Sequence, residues 1–131
     1  MAIPQNVIDC FNSPNATKVL VTSSADGQPH AIVCGSIFVI DENTLAVGEI
    51  LMKTSTENLK ANDKVAIEVI GGKEAYEARG VVKGRAEDGP VLEALNTKLA
   101  AVGLKARAVW CFDIKAVYNE SAGPDAGKQI A

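Results

Sequence analysis

The chain has 131 residues, a hydrophobic fraction of 47% and a charged fraction of 22%, which fits one domain with its own core and excludes a disordered or coiled-coil chain. Its net charge is −3 and no two basic residues are adjacent, so it lacks the clustered positive footprint of a nucleic-acid groove. MAIPQNVIDC has no basic flank or apolar run of a secretory signal, no segment approaches the roughly 20 apolar residues of a membrane span, and Cys10, Cys34, Cys111 and the sole histidine, His30, fit neither a disulfide framework nor a zinc site.

Residues 4–12 read as a short amphipathic helix, with Ile3, Val7, Ile8 and Phe11 near helical spacing and Pro4 suited to the first turn. Ser13-Pro14-Asn15 stops it. KVLVTSS (18–24) reads as a strand, Ala25-Asp26-Gly27 as a hairpin turn, and HAIVCGSIFVI (30–40) as one long second strand. Gly35 in its middle points to a bulge, a barrel bend or close approach of a ligand. After the turn Asp41-Glu42-Asn43 comes a third strand, 44–50. The period turns helical over 53–62, where Thr54 with Glu57 forms a capping-box pattern. A fourth strand over 64–70 turns at Gly71-Gly72-Lys73 into a fifth, 75–87, which carries Gly80 and Gly84. Asp88-Gly89-Pro90 opens a helix over about 90–102 that stops at Gly103. Residues 106–119 form the sixth strand, and 119–131 is a tail without a pattern.

This order predicts a mainly β, α+β domain spanning 1–131. Its six strands form an antiparallel, curved sheet, a small and partly open barrel with helices plugging its ends. The cytoplasm is the expected compartment, with no nucleic-acid or membrane partner.

Phosphate loops, dinucleotide fingerprints and nucleophile elbows are absent from the sequence. His30, just after a turn, reads as a solvent-facing strand residue rather than a catalytic base. The positive signal is Lys53-Thr54-Ser55-Thr56 at a helix mouth. Unpaired N–H donors and the helix dipole favour an anion there, and a lysine with three hydroxyls suits a phosphate. An ordinary capped helix with an exposed lysine is the other reading. Antiparallel pairing through Asp41-Glu42-Asn43 sets Val33–Ser36 beside Gly48–Met52. The small residues Cys34, Gly35 and Ser36 would let a planar group lie on the backbone. A flat ring there, with its phosphate at the helix mouth, is the geometry of flavin mononucleotide (FMN).

The ordered run VLVTSSADGQPHAIVCGSIFVIDENTLAV, KTSTENLKANDKVAIEVI and ARGVVKGRAEDGP resembles the pyridoxamine 5′-phosphate oxidase-like, FMN-binding split-barrel family over about residues 4–118. The closing GPDAGKQIA is similar to the tail of small bacterial members. The resemblance implies a split β-barrel homodimer with FMN at the subunit interface. Val33, Cys34, Gly35 and Ser36 would meet the flavin and its ribityl chain, with Gly48 and Glu49 lining the same cleft. Lys53, Thr54 and Ser55 would grip the phosphate, and either Lys53-Thr54 or Thr54-Ser55 forms the binding pair. Asn58 would brace that loop or reach the phosphate. Arg79 falls near a polar position that touches the flavin in related oxidases. Trp110 either stacks on the neighbouring subunit's flavin or packs in the core or interface. Cys34 is a small buried residue or a flavin-proximal thiol, Cys10 and Cys111 are core residues, and Glu49 is a cleft residue or a salt-bridged wall. The tail is disordered or covers the partner's flavin.

The implied function is that of an FMN-binding flavoprotein, an oxidoreductase, electron carrier or flavin reductase whose redox partner or small-molecule substrate the sequence does not name. Pyridoxamine 5′-phosphate oxidases are longer and carry an arginine–histidine grip near the C-terminus. Beyond residue 106 this chain has only Arg107 and no histidine, so oxidation of the vitamin is not expected. The alternatives are a non-enzymatic barrel for haem, with His30 as the available ligand, or for another phosphate-bearing molecule, and an interaction domain with an empty cleft.

Overall fold

The computed structural model describes residues 2–131. Among them seven strands form one antiparallel sheet: β1 (Thr17–Ser23), β2 (Pro29–Val33), β3 (Ile37–Asp41), β4 (Thr44–Glu49), β5 (Lys64–Gly71), β6 (Glu74–Ala86) and β7 (Ala108–Asn119). Their spatial order is β2-β1-β5-β6-β7-β4-β3. Three helices complete the fold: α1 (Gln5–Asn12), α2 (Thr54–Ala61) and α3 (Pro90–Leu99), which runs on through a 3-10 turn to Val102. The antiparallel, partly open barrel expected from the sequence is what forms.

The strand expected over 30–40 is two strands, so the sheet has seven rather than six. The division falls at Cys34-Gly35-Ser36, and it places β2 and β3 on opposite edges of the sheet. The Cys34 N–H still donates to Lys18 of β1 at 2.9 Å, whereas the Ser36 carbonyl already accepts from Gly48 of β4 at 3.2 Å. A flat seven-stranded sheet would hold its edges about 29 Å apart. Four residue steps reach at most about 14 Å, so the sheet must curl until its two edges meet. Lys18 spans the resulting seam, its Nζ donating to the Ile37 carbonyl at 2.8 Å.

Curvature comes from the long strands. The β6–β7 register shifts between Arg79 and Gly80 and again between Val82 and Gly84, bulges that bend the strand inward. Gly80 is required there, since a Cβ would collide with the Asp113 carbonyl. Hairpins turn where expected, with Gly27 at φ +93° and Gly72 at φ +62°, the left-handed region open to glycine.

Leu20, Ile37, Leu45, Val47, Ile67, Val69, Phe112 and Ile114 fill the interior. At the β3–β4 end, α1 closes the barrel with Val7, Cys10 and Phe11, and Ile3 N–H is tied to the Glu42 carbonyl at 2.6 Å. α3 packs Leu92 and Leu95 over Ala46, Ala106 and Val109 on the outer side of β4 and β7. Both faces of β4 are therefore covered, which explains its unbroken burial. Gly103 ends this helical run with φ +72°, a left-handed stop. The tail returns to its own sheet: Asn119 N–H donates to Lys128 at 2.8 Å and Ile130 N–H to Val117 at 2.8 Å.

Replacing Gly80 with alanine should cost about 1–3 kcal/mol, because the collision is with backbone. Gly35, which has open space around it, should tolerate alanine within about 0.5 kcal/mol. Urea denaturation midpoints check both, and equal shifts would reject this account of the bend.

Candidate functional site

The seam and the segment after β4 enclose a cleft of about 180 Å³. Val33, Cys34, Gly35, Ser36 and Gly48 line it with Ile32, Ile50, Leu51 and Met52. The structure thus brings together the seam residues and Gly48 expected from the sequence. Ser36 Oγ donates to the Gly48 carbonyl at 3.0 Å and lies 3.2 Å from Cys34 Sγ. On its far side Gly48 faces α3, where a Cβ would come within 2.6 Å of Leu95 Cδ2 and that methyl would have to shift. Val33 and Leu51 are 75% and 83% exposed, two large apolar side chains on the cleft rim.

Directly after Met52 the chain enters α2. Lys53 occupies the N-cap position and, among the described residues, no side chain caps the helix. The capping box expected from Thr54 and Glu57 is therefore absent: Thr54 is already the first helical residue, one position too late to cap. Lys53 and Thr54 are exposed. Ser55 is 1% exposed, and its Oγ has no hydrogen-bond partner among the described residues. A buried hydroxyl left unpaired is costly. Together with the free N–H groups of the first turn it fits an oxyanion such as a phosphate ester. Asn58 is buried, and its Nδ2 donates to Thr22 Oγ1 on β1 at 3.0 Å; it braces the helix.

Glu49 faces the barrel interior at 1% exposure. Its Oε1 accepts from Trp110 Nε1 at 2.9 Å, Thr56 Oγ1 at 3.1 Å and Arg85 Nε at 3.2 Å. Its Oε2 accepts from Arg107 Nε at 2.6 Å and Arg85 Nη2 at 2.9 Å. Burial pushes the carboxyl pKa up, but the donors Arg85, Trp110, Arg107 and Thr56 outweigh it and hold the pKa at about 2. Of the two readings of Glu49, these contacts match the salt-bridged wall.

Trp110 is buried in the core with its indole N–H on Glu49. Arg79 lies on β6, paired with Glu77 at 3.0 Å and set 4.0 Å over the Tyr118 ring. It is not among the residues lining the cleft. His30 is half-buried on the edge strand β2, opposite Thr22. Cys10 is in the core and Cys111 half-buried under α3. Among the described residues no cluster of candidate metal ligands occurs, and no helix is long and apolar enough to cross a membrane.

Arg85, Arg107 and Thr56 escape a reading of the sequence. Arg107 Nη2 also donates to the Met52 carbonyl at 3.1 Å, and 57% of its side chain stays exposed beside the helix mouth. The one signal that leads to it is the register of β4 on β7, which sets Glu49 opposite Ala108.

The low carboxyl pKa makes folding sensitive to acid. The folded chain binds the Glu49 proton less readily than the unfolded chain, so stability present above the ordinary value of 4.5 is lost as pH falls toward about 2. Thermal melts at pH steps across that window should show a falling melting temperature. An E49Q variant should show a shallower slope, and identical slopes would reject the assignment.

A protein-family profile for pyridoxamine 5′-phosphate oxidase matches residues 4–121. An uncharacterised protein of Methanocaldococcus jannaschii is 29% identical over 122 residues, covering 89% of this chain and 81% of that protein. The crystal structure of HupZ from Group A Streptococcus superposes with a TM-score of 0.81 at 23% identity, covering 95% of this chain and 99% of HupZ. An FMN-binding protein from Syntrophomonas wolfei gives a TM-score of 0.77 at 12% identity, covering 91% of this chain and 84% of that one. At these identities the structural likeness is one of fold, the split barrel. The profile match runs from α1 to just beyond β7, over nearly the whole chain, and the chain belongs to the pyridoxamine 5′-phosphate oxidase family.

Proposed function

We propose that the chain is a flavoprotein that holds FMN in the cleft and serves as an oxidoreductase or electron carrier. The observation that carries this reading is the unpartnered, buried hydroxyl of Ser55 in an uncapped helical turn beside Lys53. Ser55, Thr54, Lys53 and the first-turn N–H groups would hold the phosphate. Val33–Ser36 and Gly48 would carry the ring and ribityl chain, with only small side chains at Gly35, Ser36 and Gly48 to stand in the way. When bound, the flavin supplies the redox chemistry, while the protein supplies position and electrostatics.

A second copy of the chain would cover the exposed rim at Val33 and Leu51, since paired apolar side chains at a cleft mouth favour a partner surface. The reading therefore includes a homodimer with the flavin at its interface. Oxidation of the vitamin phosphate is not part of it. Arg107, the one arginine beyond residue 106, is tied to Glu49 and Met52.

The absorbance spectrum of the purified protein, with mass analysis of the released small molecule, tests the cofactor. Flavin bands and the mass of FMN are expected. A haem band would favour the haem alternative, for which His30 is the only histidine.

Replacing Thr54 and Ser55 together by alanine should weaken FMN binding at least tenfold while the fold persists. Hydrogen bonds to a charged group are each worth about 1.5–3 kcal/mol, and about 1.4 kcal/mol is a factor of ten. Unchanged affinity in a flavin titration would reject the phosphate assignment. Light scattering at micromolar concentration should give twice the chain mass, and a monomer would reject the interface.

A further inference from the structure

A phosphate grip made of backbone N–H groups works only if the turn that carries them is held still. α2 has eight residues and no side-chain cap among the described residues, and a helix that short is marginal by itself. Its far half is anchored on β1 by Asn58 and by the buried side chain of Leu59. The near half, which forms the mouth, follows Met52, itself packed in the core, and among the described residues its side-chain hydrogen bonds to the sheet converge on one group. Thr56 Oγ1 donates to Glu49 Oε1 at 3.1 Å. On the other side of the mouth, Arg107 links Glu49 Oε2 to the Met52 carbonyl, at 2.6 and 3.1 Å. Glu49 itself is fixed on the sheet, paired with Ala108 and bonded to Arg85 and Trp110. Both flanks of Lys53-Thr54-Ser55 thus trace back to one carboxylate.

Helical geometry makes the Thr56 contact the one that orients the first turn, as Asn58 and Leu59 orient the second. Successive residues point about 100° apart around a helix. Pinning Thr56 on the interior carboxylate sets the rotation of the first turn, and with it the placement of Thr54 in solvent and of the Ser55 hydroxyl out of solvent without a partner.

We propose that Glu49 is a positioning residue: through Thr56 on one side and through Arg107 and Met52 on the other, its carboxylate presents Lys53–Ser55 as a preformed site for a phosphate monoester. This rests on the flavin-phosphate reading above and adds to it the device that builds the site. Glu49 does not touch the ligand, because all five of its hydrogen bonds go to protein donors.

The test compares FMN with riboflavin, which lacks the phosphate, in fluorescence titrations of the full-length protein. Thr56→Val keeps the shape of the side chain and removes the donor, while Thr56→Ser keeps the donor. T56V should bind FMN about tenfold more weakly, as for one hydrogen bond to a charged group, with riboflavin affinity within twofold of wild type. T56S should restore FMN binding to within twofold. A merely structural role would move FMN and riboflavin together and would show no rescue by serine. Circular dichroism and a melting curve confirm the fold of each variant, and T56A carries the same comparison if T56V does not fold. The proposal is overturned by a folded T56V with unchanged FMN affinity, by equal losses for both ligands, or by T56S behaving as T56V. Wild-type protein that binds FMN no better than riboflavin would defeat the phosphate reading itself and this proposal with it, a result visible before any variant is made.

Discussion

The three residues Cys34-Gly35-Ser36 impose the constraint on which the rest of the molecule depends. They connect β2 and β3, the first and last strands of a seven-stranded sheet. A link that short leaves the sheet no option but to curl, and the bulges at Gly80 and Gly84 supply the bend on the opposite side. The closure is incomplete because the same residues must leave β1 and join β4 within three positions. The backbone there is committed to neither ladder throughout, and Gly35 is left exposed. The cleft is thus a by-product of how this barrel closes, and the small side chains of Cys34, Gly35 and Ser36 leave it open.

One residue past Gly48, at the same end of β4, the interior holds a charge. Burying a carboxylate is costly unless its lone pairs are filled. Glu49 meets that demand with two arginines, an indole N–H and a hydroxyl drawn from β6, β7, α2 and the segment before β7. Apolar replacements of such clusters commonly match them in stability, so net stabilisation is a weak reason for the cluster. Its distinguishing property is direction. An apolar plug would give the first turn of α2 and the 50–53 segment no directed contact with the sheet here, whereas the Thr56 and Arg107 bonds to Glu49 supply one to each.

What could be seen in the sequence follows from how local each signal is. Strand alternation, the Asp26-Gly27 and Gly72 turns and the stop at Gly103 are all decided within a few residues, and each stands within a residue or two of where it was expected. The seam was legible as a small-residue break but not as a change of partners, because a run such as HAIVCGSIFVI alternates equally well as one strand or two. Thr54 imitates a cap in sequence, yet the chain enters the helix one residue earlier, a difference set by where β4 ends. Glu49's partners Arg85 and Arg107 lie 36 and 58 positions away, and they become neighbours only once β6 and β7 stand beside β4. The fold-back of the tail rests on backbone hydrogen bonds to β7, which leave no side-chain pattern to read.

The polar capacity left over in and beside the cleft is unevenly distributed. Along the seam the Ser36 hydroxyl is already spent on the Gly48 carbonyl, and a side chain at Gly48 would have to displace the Leu95 methyl that α3 packs behind it. The floor is consequently flat, small and apolar, and Val33 and Leu51 extend it outward. Five residues past Gly48 the character reverses: Lys53 is charged, the first-turn N–H groups have no side-chain cap, and the Ser55 hydroxyl is buried and unspent. A molecule matched to both regions needs a broad, apolar, planar body and a short tether to an anionic end. Residues 50–53 lead from one region to the other, so in the flavin reading proposed above the tether would span this β4–α2 connection, which Arg107 holds at the Met52 carbonyl.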